Sequence, residues 1–326
     1  MRPFSYARAT SPDAAIAQVA GRRDARFIAG GTNILDLMKD DVERPTLLVD
    51  INALPFAAIE AGPSALRIGA LARMSDTADH PDVVRYAPAV SQALLLSASA
   101  QLRNAASIGG NLMQRTRCAY FRDVAGACNK RAPGEGCAAL GGVNRLHAIL
   151  GGSSNCICTH ASDLAVALVA LDAAVLTRGP KGNRTIPLTE FYRLPGATPQ
   201  IETQLQPGEL IVGVDVPRSA AAARSQYLKI RDRKSYEFAL VSVAAALEVE
   251  AGVVREARLA LGGVAPIPWR ARAAERSLVG GAASADAFAR AAQIALDGAR
   301  GHGENDFKIP LAQRAIARAL TAASAA

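Results

Sequence analysis

The sequence predicts an α+β protein with more than one hydrophobic core. Three observations support this: helical and strand-like periodicities are mixed along the chain, half of the 326 residues are hydrophobic, and the alanine-rich link SAAAARS at 219–225 marks a plausible domain boundary. This length can bury one large core or two to three smaller ones, and we expect the smaller ones. Because aromatic residues make up only 5% of the chain, small aliphatic side chains should pack these cores.

The first predicted helix begins at Ser11-Pro12-Asp13. This tripeptide supplies an N-cap, a first-turn proline and an acid near the positive end of the helix dipole. The apolar residues expected on one face of this helix are Ala15, Ile16 and Val19.

Strands and helices are predicted to alternate up to residue 112. The stretch RFIAGGTNILDLMK at 26–39 predicts a short strand, a Gly-Gly turn and a helix whose first turn holds Thr32 and Asn33. The other elements expected in this part are strands at 46–51 and 65–74, a helix at 88–100 and a second tight glycine turn at 107–112.

The region from about 115 to 160 interrupts this pattern. It is rich in Gly, Cys, Asn and Arg and has little periodicity, so it predicts a long loop, which in a compact protein is usually functional or disordered. The elements expected after it are a capped helix and a strand at 162–178, a strand at 209–217, two strands about a turn near Gly252, and helices from Trp269 onward.

Charge and hydropathy argue against nucleic-acid binding and membrane insertion. The net charge is +8, but Lys and Arg are spread along the chain, and the densest run, KIRDRK at 229–234, already contains an acid. We expect solvated surface charge, with some share for an acidic partner subunit or an anionic cofactor. No run of about 18 apolar residues predicts a membrane span. The N-terminus lacks an apolar stretch followed by a cleavage site, so no secretory signal is expected.

Two glycine pairs, in IAGGTN and SIGGN, are candidate binding turns. Glycine lets the backbone approach a ligand closely, and consecutive N–H groups can point at phosphate oxygens. Thr32, Asn33 and Ser107 could add donors, and a following helix favours an anion further. Each pair alone is better explained as an ordinary turn, because neither fits GxGxxG or a Walker motif.

Motifs for hydrolysis and for zinc proteases are missing from the sequence. The four histidines show no HExxH or H-x3-H spacing, and no GxSxG occurs. We therefore expect surface or structural roles for His80, His147, His160 and His302.

All five cysteines lie between residues 118 and 158. An odd count in a long chain does not suit a disulfide framework. Successive gaps of nine, eight, eighteen and one residues contain no C-x2-4-C zinc knuckle. A glycine-rich loop can instead supply four widely spaced thiolates to a [4Fe-4S] cluster. The spacing favours this cluster, while zinc and free thiols stay open as alternatives.

Five cations surround these cysteines in the sequence. They are Arg115, Arg117, Arg122, Lys130 and Arg131. A cluster bound by four thiolates is anionic, so nearby cations would stabilise its reduced form. The alternative is that they are ordinary surface charges of a loop.

Five stretches in order resemble one known family. They are RFIAGGTNILDLMK, QLRNAASIGGNLMQRTRC, CNKRAPGEGCAAL, THASDLAVAL and YLKIRDRKSYEFALVSVAAAL. Together they resemble the FAD-binding subunit of molybdenum hydroxylases, most closely the FAD and [4Fe-4S] subunit of heterotrimeric periplasmic aldehyde oxidoreductases. The resemblance runs from near residue 1 to about residue 320.

The resemblance implies two α/β subdomains that bind FAD between them. They would form an FAD-binding (PCMH-type) domain at 1–218, with a [4Fe-4S] insertion loop at about 115–160. A smaller α+β domain of the CO dehydrogenase flavoprotein type would follow at 222–326.

The resemblance also implies which residues contact FAD. The first glycine loop would cradle the pyrophosphate, the second would close over the same cofactor, and Lys229 would stabilise the anionic reduced flavin. Asp163 could equally be a helix cap that assists Ser162. The full implied set is Phe27, Ile28, Ala29, Gly30, Gly31, Thr32, Asn33, Ile34, Ser107, Gly109, Gly110, Asn111, Asp163, Ile211 and Lys229.

The cluster ligands implied by the resemblance are Cys118, Cys128, Cys137 and Cys156. Cys158 departs from the family pattern, which leaves the identity of the fourth ligand between Cys156 and Cys158, and we favour Cys156. The cluster could relay electrons, tune potentials or rigidify the loop.

The implied function is electron transfer within a larger oxidoreductase. Aldehyde oxidation would occur at a molybdenum cofactor in a large subunit, and electrons would pass through a [2Fe-2S] small subunit to FAD and on to an external acceptor. Two alternatives are the FAD subunit of a related enzyme such as hydroxybenzoyl-CoA reductase, and a non-enzymatic metal-stapled interaction module. The expected location is the periplasm, reached by co-export with a partner subunit, or alternatively the cytoplasm.

Overall fold

The structure, a computed structural model, describes all residues from Met1 to Ala326. Helices flank three separate sheets, which confirms the predicted α+β class. The strands are β1 (Ser5–Arg8), β2 (Ala25–Ile28), β3 (Leu47–Asp50), β4 (Ile59–Ala61), β5 (Ala65–Gly69), β6 (Ala174–Gly179), β7 (Gly182–Pro187), β8 (Leu210–Pro217), β9 (Gln226–Ile230), β10 (Val241–Glu250), β11 (Val253–Gly262) and β12 (Trp269–Arg270).

The helices are mostly short. They are α1 (Pro12–Val19), α2 (Ile34–Lys39), α3 (Met74–Asp79), α4 (Pro81–Tyr86), α5 (Pro88–Leu95), α6 (Ala100–Ala105), α7 (Ile108–Leu112), α8 (Ala119–Arg122), α9 (Asp163–Ala170), α10 (Leu188–Phe191), α11 (Ala220–Ala223), α12 (Arg272–Leu278), α13 (Ala285–Ala295) and α14 (Lys308–Ser324). None of them combines the length and the apolar character that a bilayer crossing requires.

The first sheet contains three parallel strands in the order β1-β3-β2. Parallel neighbours need crossover connections, and α1 and α2 provide them. As predicted, Ser11 caps α1, accepting a hydrogen bond from the Ala14 N–H at 3.2 Å, and the face bearing Ala15, Ile16 and Val19 is buried. This unit places the end of β2 and the start of α2 at the edge of the candidate site.

The middle sheet has five antiparallel strands in the order β4-β5-β8-β6-β7. It belongs to the largest core, 38 buried residues that are mainly Ala, Val, Leu and Ile. All eight residues of α9 are buried, and the seven apolar ones after Asp163 belong to this core. Ser162 caps α9 as predicted, accepting from the Ala165 N–H at 2.9 Å.

The third sheet is antiparallel, in the order β12-β11-β10-β9, and it is buried on both faces. Successive side chains of a strand point to opposite faces. Ala244 and Ala246 of β10 accordingly join the largest core, whereas Val243 and Leu247 join a second core of 26 residues with α12, α13 and α14. The alanine face is therefore shared with the middle sheet and α9.

Some predicted boundaries are wrong in detail. The expected glycine turn at 107–112 is helix α7, because Ser107 caps it. The link at 219–225 contains α11, whose Ala221 and Ala222 are fully buried, so this link is not an exposed connection. The other corrections are that the strand from 65 ends at Gly69, the helix from 88 ends at Leu95, the helix expected to include Thr32 and Asn33 begins at Ile34, and Trp269–Arg270 is a strand.

The segment 115–160 is a loop, as predicted, apart from α8 and a few turns. Its second half is bound to the C-terminal part of the chain. The Asn144 side chain donates to the His302 carbonyl oxygen at 2.8 Å, and the buried Lys308 ammonium donates to the carbonyl oxygens of Leu146 and His147 at 3.3 and 2.9 Å. These bonds fix the loop against the start of α14.

Candidate functional site

Two cavities meet at the first glycine turn. The first, of about 280 Å³, lies beside the end of β2, the start of α7 and β8, and the second, of about 400 Å³, extends toward α9 and β9. Thr32, Asn33 and Gly110 line both of them. The two cavities therefore adjoin, with the glycine turn at their junction.

The first turn requires glycine for steric reasons. A Cβ on Gly30 would lie 2.0 Å from the Ala105 carbonyl oxygen, and Gly31 has φ +72°. Only glycine adopts such backbone at little cost and allows so close an approach. The turn between β2 and α2 is thus packed directly on the end of α6.

The same turn presents unpaired donors. The backbone N–H groups from Gly30 to Ile34 donate no hydrogen bond within the protein, and the Asn33 side-chain amide nitrogen is buried without a partner. Unpaired amides next to a helix start form a site for phosphate oxygens. These residues fit the pyrophosphate of a dinucleotide placed across the junction of the cavities.

The second glycine pair lies opposite the first. Ser107 accepts a hydrogen bond from the Gly110 N–H at 3.2 Å, and the Gly109 N–H donates to the Ala70 carbonyl oxygen at 2.8 Å. A Cβ on Gly109 would be 3.0 Å from the Ala70 Cβ, so glycine allows α7 to lie on the turn after β5. The pair is a helix start that forms one wall of the cavities.

A buried polar network closes the far end of the second cavity. The Asp163 carboxylate accepts from Lys229 Nζ at 2.8 Å, from the Tyr227 hydroxyl at 2.6 Å and from Ser97 Oγ at 3.0 Å. Burial, reinforced by Asp163, raises the pKa of Tyr227 well above its ordinary value. Asp163 is thus more than a helix-cap residue, and the charge of Lys229 is balanced within the protein.

Fourteen of the fifteen residues expected at FAD line one of the two cavities. Ile28 is the exception, because it is buried below Gly31 in a small core with Met38 and Leu48. The first cavity is lined by Phe27, Ala29, Gly30, Gly31, Thr32, Asn33, Ile34, Ser107, Gly109, Gly110 and Ile211. The residues that line the second cavity alone are Asn111, Asp163 and Lys229.

Sequence reasoning missed other lining residues. Both cavities contain charged or aromatic side chains from outside the glycine turns that were not among the expected contacts. In the first cavity these include Arg26, Glu43 and Glu209, and in the second they include Arg122, Tyr236 and Phe238. Tyr236 and Phe238 do belong to KSYEFA, one of the stretches that resemble the family.

The cysteines are buried or partly buried in the loop, and none forms a disulfide. Cys128 and Cys137 face each other in an isolated antiparallel bridge, and Cys156 and Cys158 are both buried. No three His, Cys, Asp or Glu side chains of the chain converge on a single metal-ion position. The structure therefore shows no assembled metal site, and the [4Fe-4S] cluster stays a prediction.

His147 is a buried residue that contacts this group. Its Nε2 lies 3.2 Å from the Cys118 sulfur, while its Nδ1 has no partner. Burial, together with the nearby Lys308 ammonium, lowers the pKa of His147 to about 4. His147 is therefore neutral at pH 7 and structural, as predicted from its lack of motif spacing.

Most cations of the loop are paired rather than free surface charges. Arg115 binds Glu43 and Glu202, and Lys130 binds Glu202 at 2.9 Å. Arg122 binds Asp36 and Asp40 at 2.6 Å each. Arg131 donates to backbone carbonyl oxygens of α8 and of the turn after it. Arg117, in contrast, forms no salt bridge and donates only to a backbone carbonyl oxygen. Burial, with a contribution from nearby Arg122, lowers the pKa of Arg117 to about 10, so it stays charged at pH 7.

The fold and the cleft together define a protein that binds a dinucleotide cofactor. Comparisons with known proteins identify the cofactor. A family model described as the FAD binding domain in molybdopterin dehydrogenase matches residues 2–219, and one described as the CO dehydrogenase flavoprotein C-terminal domain matches residues 226–323. The chain therefore belongs to the family of FAD-binding subunits of molybdenum hydroxylases and is an oxidoreductase component.

Individual relatives agree with this assignment. The chain is 49% identical to the aldehyde oxidoreductase FAD-binding subunit PaoB of Escherichia coli (strain K12), over 100% of this chain and 99% of that protein. It is 27% identical to the carbon monoxide dehydrogenase medium chain of Hydrogenophaga pseudoflava, over 92% of this chain and 89% of the relative.

Solved structures share the complete fold. Carbon monoxide dehydrogenase from Hydrogenophaga pseudoflava, in a form lacking the Mo-pyranopterin moiety, matches with a TM-score of 0.77 and 28% identity, over 99% of this chain and 98% of that chain. Quinoline 2-oxidoreductase from Pseudomonas putida 86 matches with the same TM-score and coverage at 26% identity.

Proposed function

We propose that this chain is the FAD and [4Fe-4S] electron-transfer subunit of a heterotrimeric, molybdenum-dependent aldehyde oxidoreductase. The observation that carries the proposal is the 49% identity, over the full length, to a subunit of an aldehyde oxidoreductase. When bound, FAD would supply the redox chemistry, accepting electrons that originate at the molybdenum and [2Fe-2S] partner subunits and releasing them to an external acceptor.

The residues of this chain would bind and orient the flavin rather than act on the aldehyde. The unpaired N–H groups from Gly30 to Ile34 would hold the pyrophosphate. The first cavity would then take the adenosine half, and the second would take the flavin half beside Asp163 and Lys229. The FAD-binding part would span residues 1–218 and the C-terminal α+β domain residues 222–326.

The four thiolates proposed for the cluster are those of Cys118, Cys128, Cys137 and Cys156. All four lie in one loop, with Cys128 and Cys156 buried and Cys118 and Cys137 partly buried, which supports this set. Cys158 is also buried and lies two positions after Cys156, so it is the alternative fourth ligand.

Isolation of the complex from separated periplasmic and cytoplasmic fractions tests these proposals together. We expect a periplasmic complex of three different subunits with one FAD and about four irons per copy of this chain beyond those of its partners. We also expect aldehyde-dependent reduction of an artificial acceptor, since a hydroxybenzoyl-CoA reductase would lack this activity.

Cysteine variants provide the matched control. Cys156→Ser should lose the cluster iron while Cys158→Ser retains it, and the opposite result would exchange the two assignments. Zinc in place of the additional iron would contradict the cluster. The family membership already replaces the idea of a non-enzymatic metal-stapled module.

A further inference from the structure

Three cations line the second cavity, and only one of them lacks a carboxylate partner. Lys229 is bound to Asp163 at 2.8 Å, and Arg122 is bound to Asp36 and Asp40. Arg117 forms no salt bridge anywhere in the chain. Its one hydrogen-bond acceptor is the carbonyl oxygen of Arg115.

Arg117 lines the second cavity and not the first. Thr32, Asn33 and Gly110 mark the junction with the first cavity. Arg117, together with Asp163 and Phe238, lines the second cavity and also an adjoining cavity of about 30 Å³. If the pyrophosphate occupies the junction and the adenosine half occupies the first cavity, the flavin ring occupies the cavity that Arg117 lines.

The position of Arg117 is fixed by its surroundings. Its guanidinium carbon lies 4.9 Å from the centre of the Phe238 ring, and its backbone precedes Cys118 directly. A partly buried cation without a counter-charge is unfavourable unless an anion occupies the adjacent space. The cavity supplies that space.

We propose that Arg117 is a potential-setting residue whose guanidinium provides the counter-charge for the negative charge that the flavin ring gains on two-electron reduction. The inference rests on the proposed placement of FAD in these cavities. In this proposal the cation available to the reduced flavin is Arg117 and not Lys229, because the charge of Lys229 is already balanced by Asp163. A guanidinium at this position stabilises reduced over oxidised flavin and so raises the reduction potential.

The test is the two-electron potential of the bound flavin in the purified complex, measured by equilibration with reference dyes. Arg117→Gln should lower the equilibrium constant for flavin reduction at least tenfold, which lowers the reduction potential of a two-electron couple by about 30 mV. Arg117→Met, which keeps the contact with Phe238, should act in the same direction. Arg117→Lys keeps the charge and should remain close to the wild-type potential.

Lys234→Gln is the matched control, because it removes one positive charge from an exposed residue of the loop between β9 and β10 and should leave the potential unchanged. Unaltered potentials in both neutral Arg117 variants, with FAD still bound, would overturn the inference.

A second control separates that outcome from a failure of the proposed placement. Asp163→Asn leaves the Lys229 charge unbalanced in the same cavity, so the flavin potential should rise. If Asp163→Asn shifts the potential and Arg117→Gln does not, the Arg117 inference alone fails. If neither variant shifts it, or if the complex contains no FAD, the placement of the flavin fails with it.

Discussion

Gly30 is the residue on which the junction of the two cavities most depends. Its missing side chain lets the first turn approach the end of α6, where an added Cβ would be 2.0 Å from a carbonyl oxygen. We expect Gly30→Ala to push the turn away from α6, cost about 1–3 kcal/mol in the free energy of unfolding, and lower FAD content severalfold. Urea unfolding and the flavin absorbance of the purified protein measure both effects.

Gly141→Ala is a suitable control for this change. No atom lies within 4 Å of the Cβ that it would add, and Gly141 does not have positive φ. The control should keep wild-type stability and FAD content. A Gly30 variant with unchanged FAD content would show that the turn does not need so close an approach.

At the scale of single residues, the sequence predicted the glycine positions better than the charges around them. Glycine pairs are visible as motifs, whereas the pairing of Lys229 with Asp163 joins positions 66 apart in the chain. Nor could the sequence show that Arg117 lacks a partner, because its neighbours Asp36 and Arg122 come from different elements.

The start of α14 depends on one buried ammonium group. Lys308 donates to the carbonyl oxygens of Leu146, His147 and Gly263, and burial, with a contribution from Arg145, lowers its pKa from 10.5 to about 7. Between about pH 7 and pH 10 the unfolded chain keeps this proton while the folded chain loses it, so stability rises with pH. We expect this rise to be about 1 kcal/mol per pH unit, and Lys308→Met should lack it.

Urea unfolding of wild type and Lys308→Met at several pH values between 7 and 9.5 measures the difference. Other titrating groups are shared by both proteins and cancel in the comparison. Parallel stability curves for the two proteins would contradict the pKa shift. The variant should also be less stable at every pH, because three buried carbonyl oxygens lose their donor.

At the scale of elements, the sequence predicted the side-chain caps of helices. It did not predict whether a helix forms where capping and packing oppose a low helix propensity. Ser11 and Ser162 cap their helices as the sequence indicated. The pair Gly109-Gly110 disfavours a helix by propensity, yet α7 forms because Ser107 caps it and Ala70 packs against Gly109. Contacts with residues distant in sequence therefore decided that element.

For the whole molecule, the cleft lies between the three-stranded unit and the rest of the chain. The separate core of that unit has only 11 buried residues, in contrast to 38 in the largest core. A cofactor that binds only the folded form stabilises what it contacts, by about 4 kcal/mol at a thousandfold excess over Kd. Removal of FAD should therefore speed hydrogen exchange mainly in β1, β2 and β3.

Hydrogen-exchange mass spectrometry of the protein with and without FAD makes this comparison. Peptides from β10 and β11 serve as the internal reference, because those strands are buried on both faces away from the glycine turns. Equal acceleration in all three sheets, or none in the first sheet, would contradict the expectation.

The sequence predicted the mixed architecture and the long loop but not how the sheets share cores. Strand order depends on pairings such as β5 with β8, whose partners are separated by about 145 residues or more. The alanine-rich link was expected to separate two units. Within it, Ala221 and Ala222 are buried in the same core as Ala244 and Ala246.

This shared alanine face has a consequence for evolution and for protein engineering. A hybrid that joins the N-terminal part of one homologue to the C-terminal part of another at residue 225 would combine two core-facing surfaces that had been selected separately. Alanine side chains on this face leave little space. A bulkier residue at one of these positions in either parent would therefore prevent the two parts from packing together, even though the crossover preserves every secondary-structure element. Viable hybrids should therefore inherit α9 and β10 from the same ancestor.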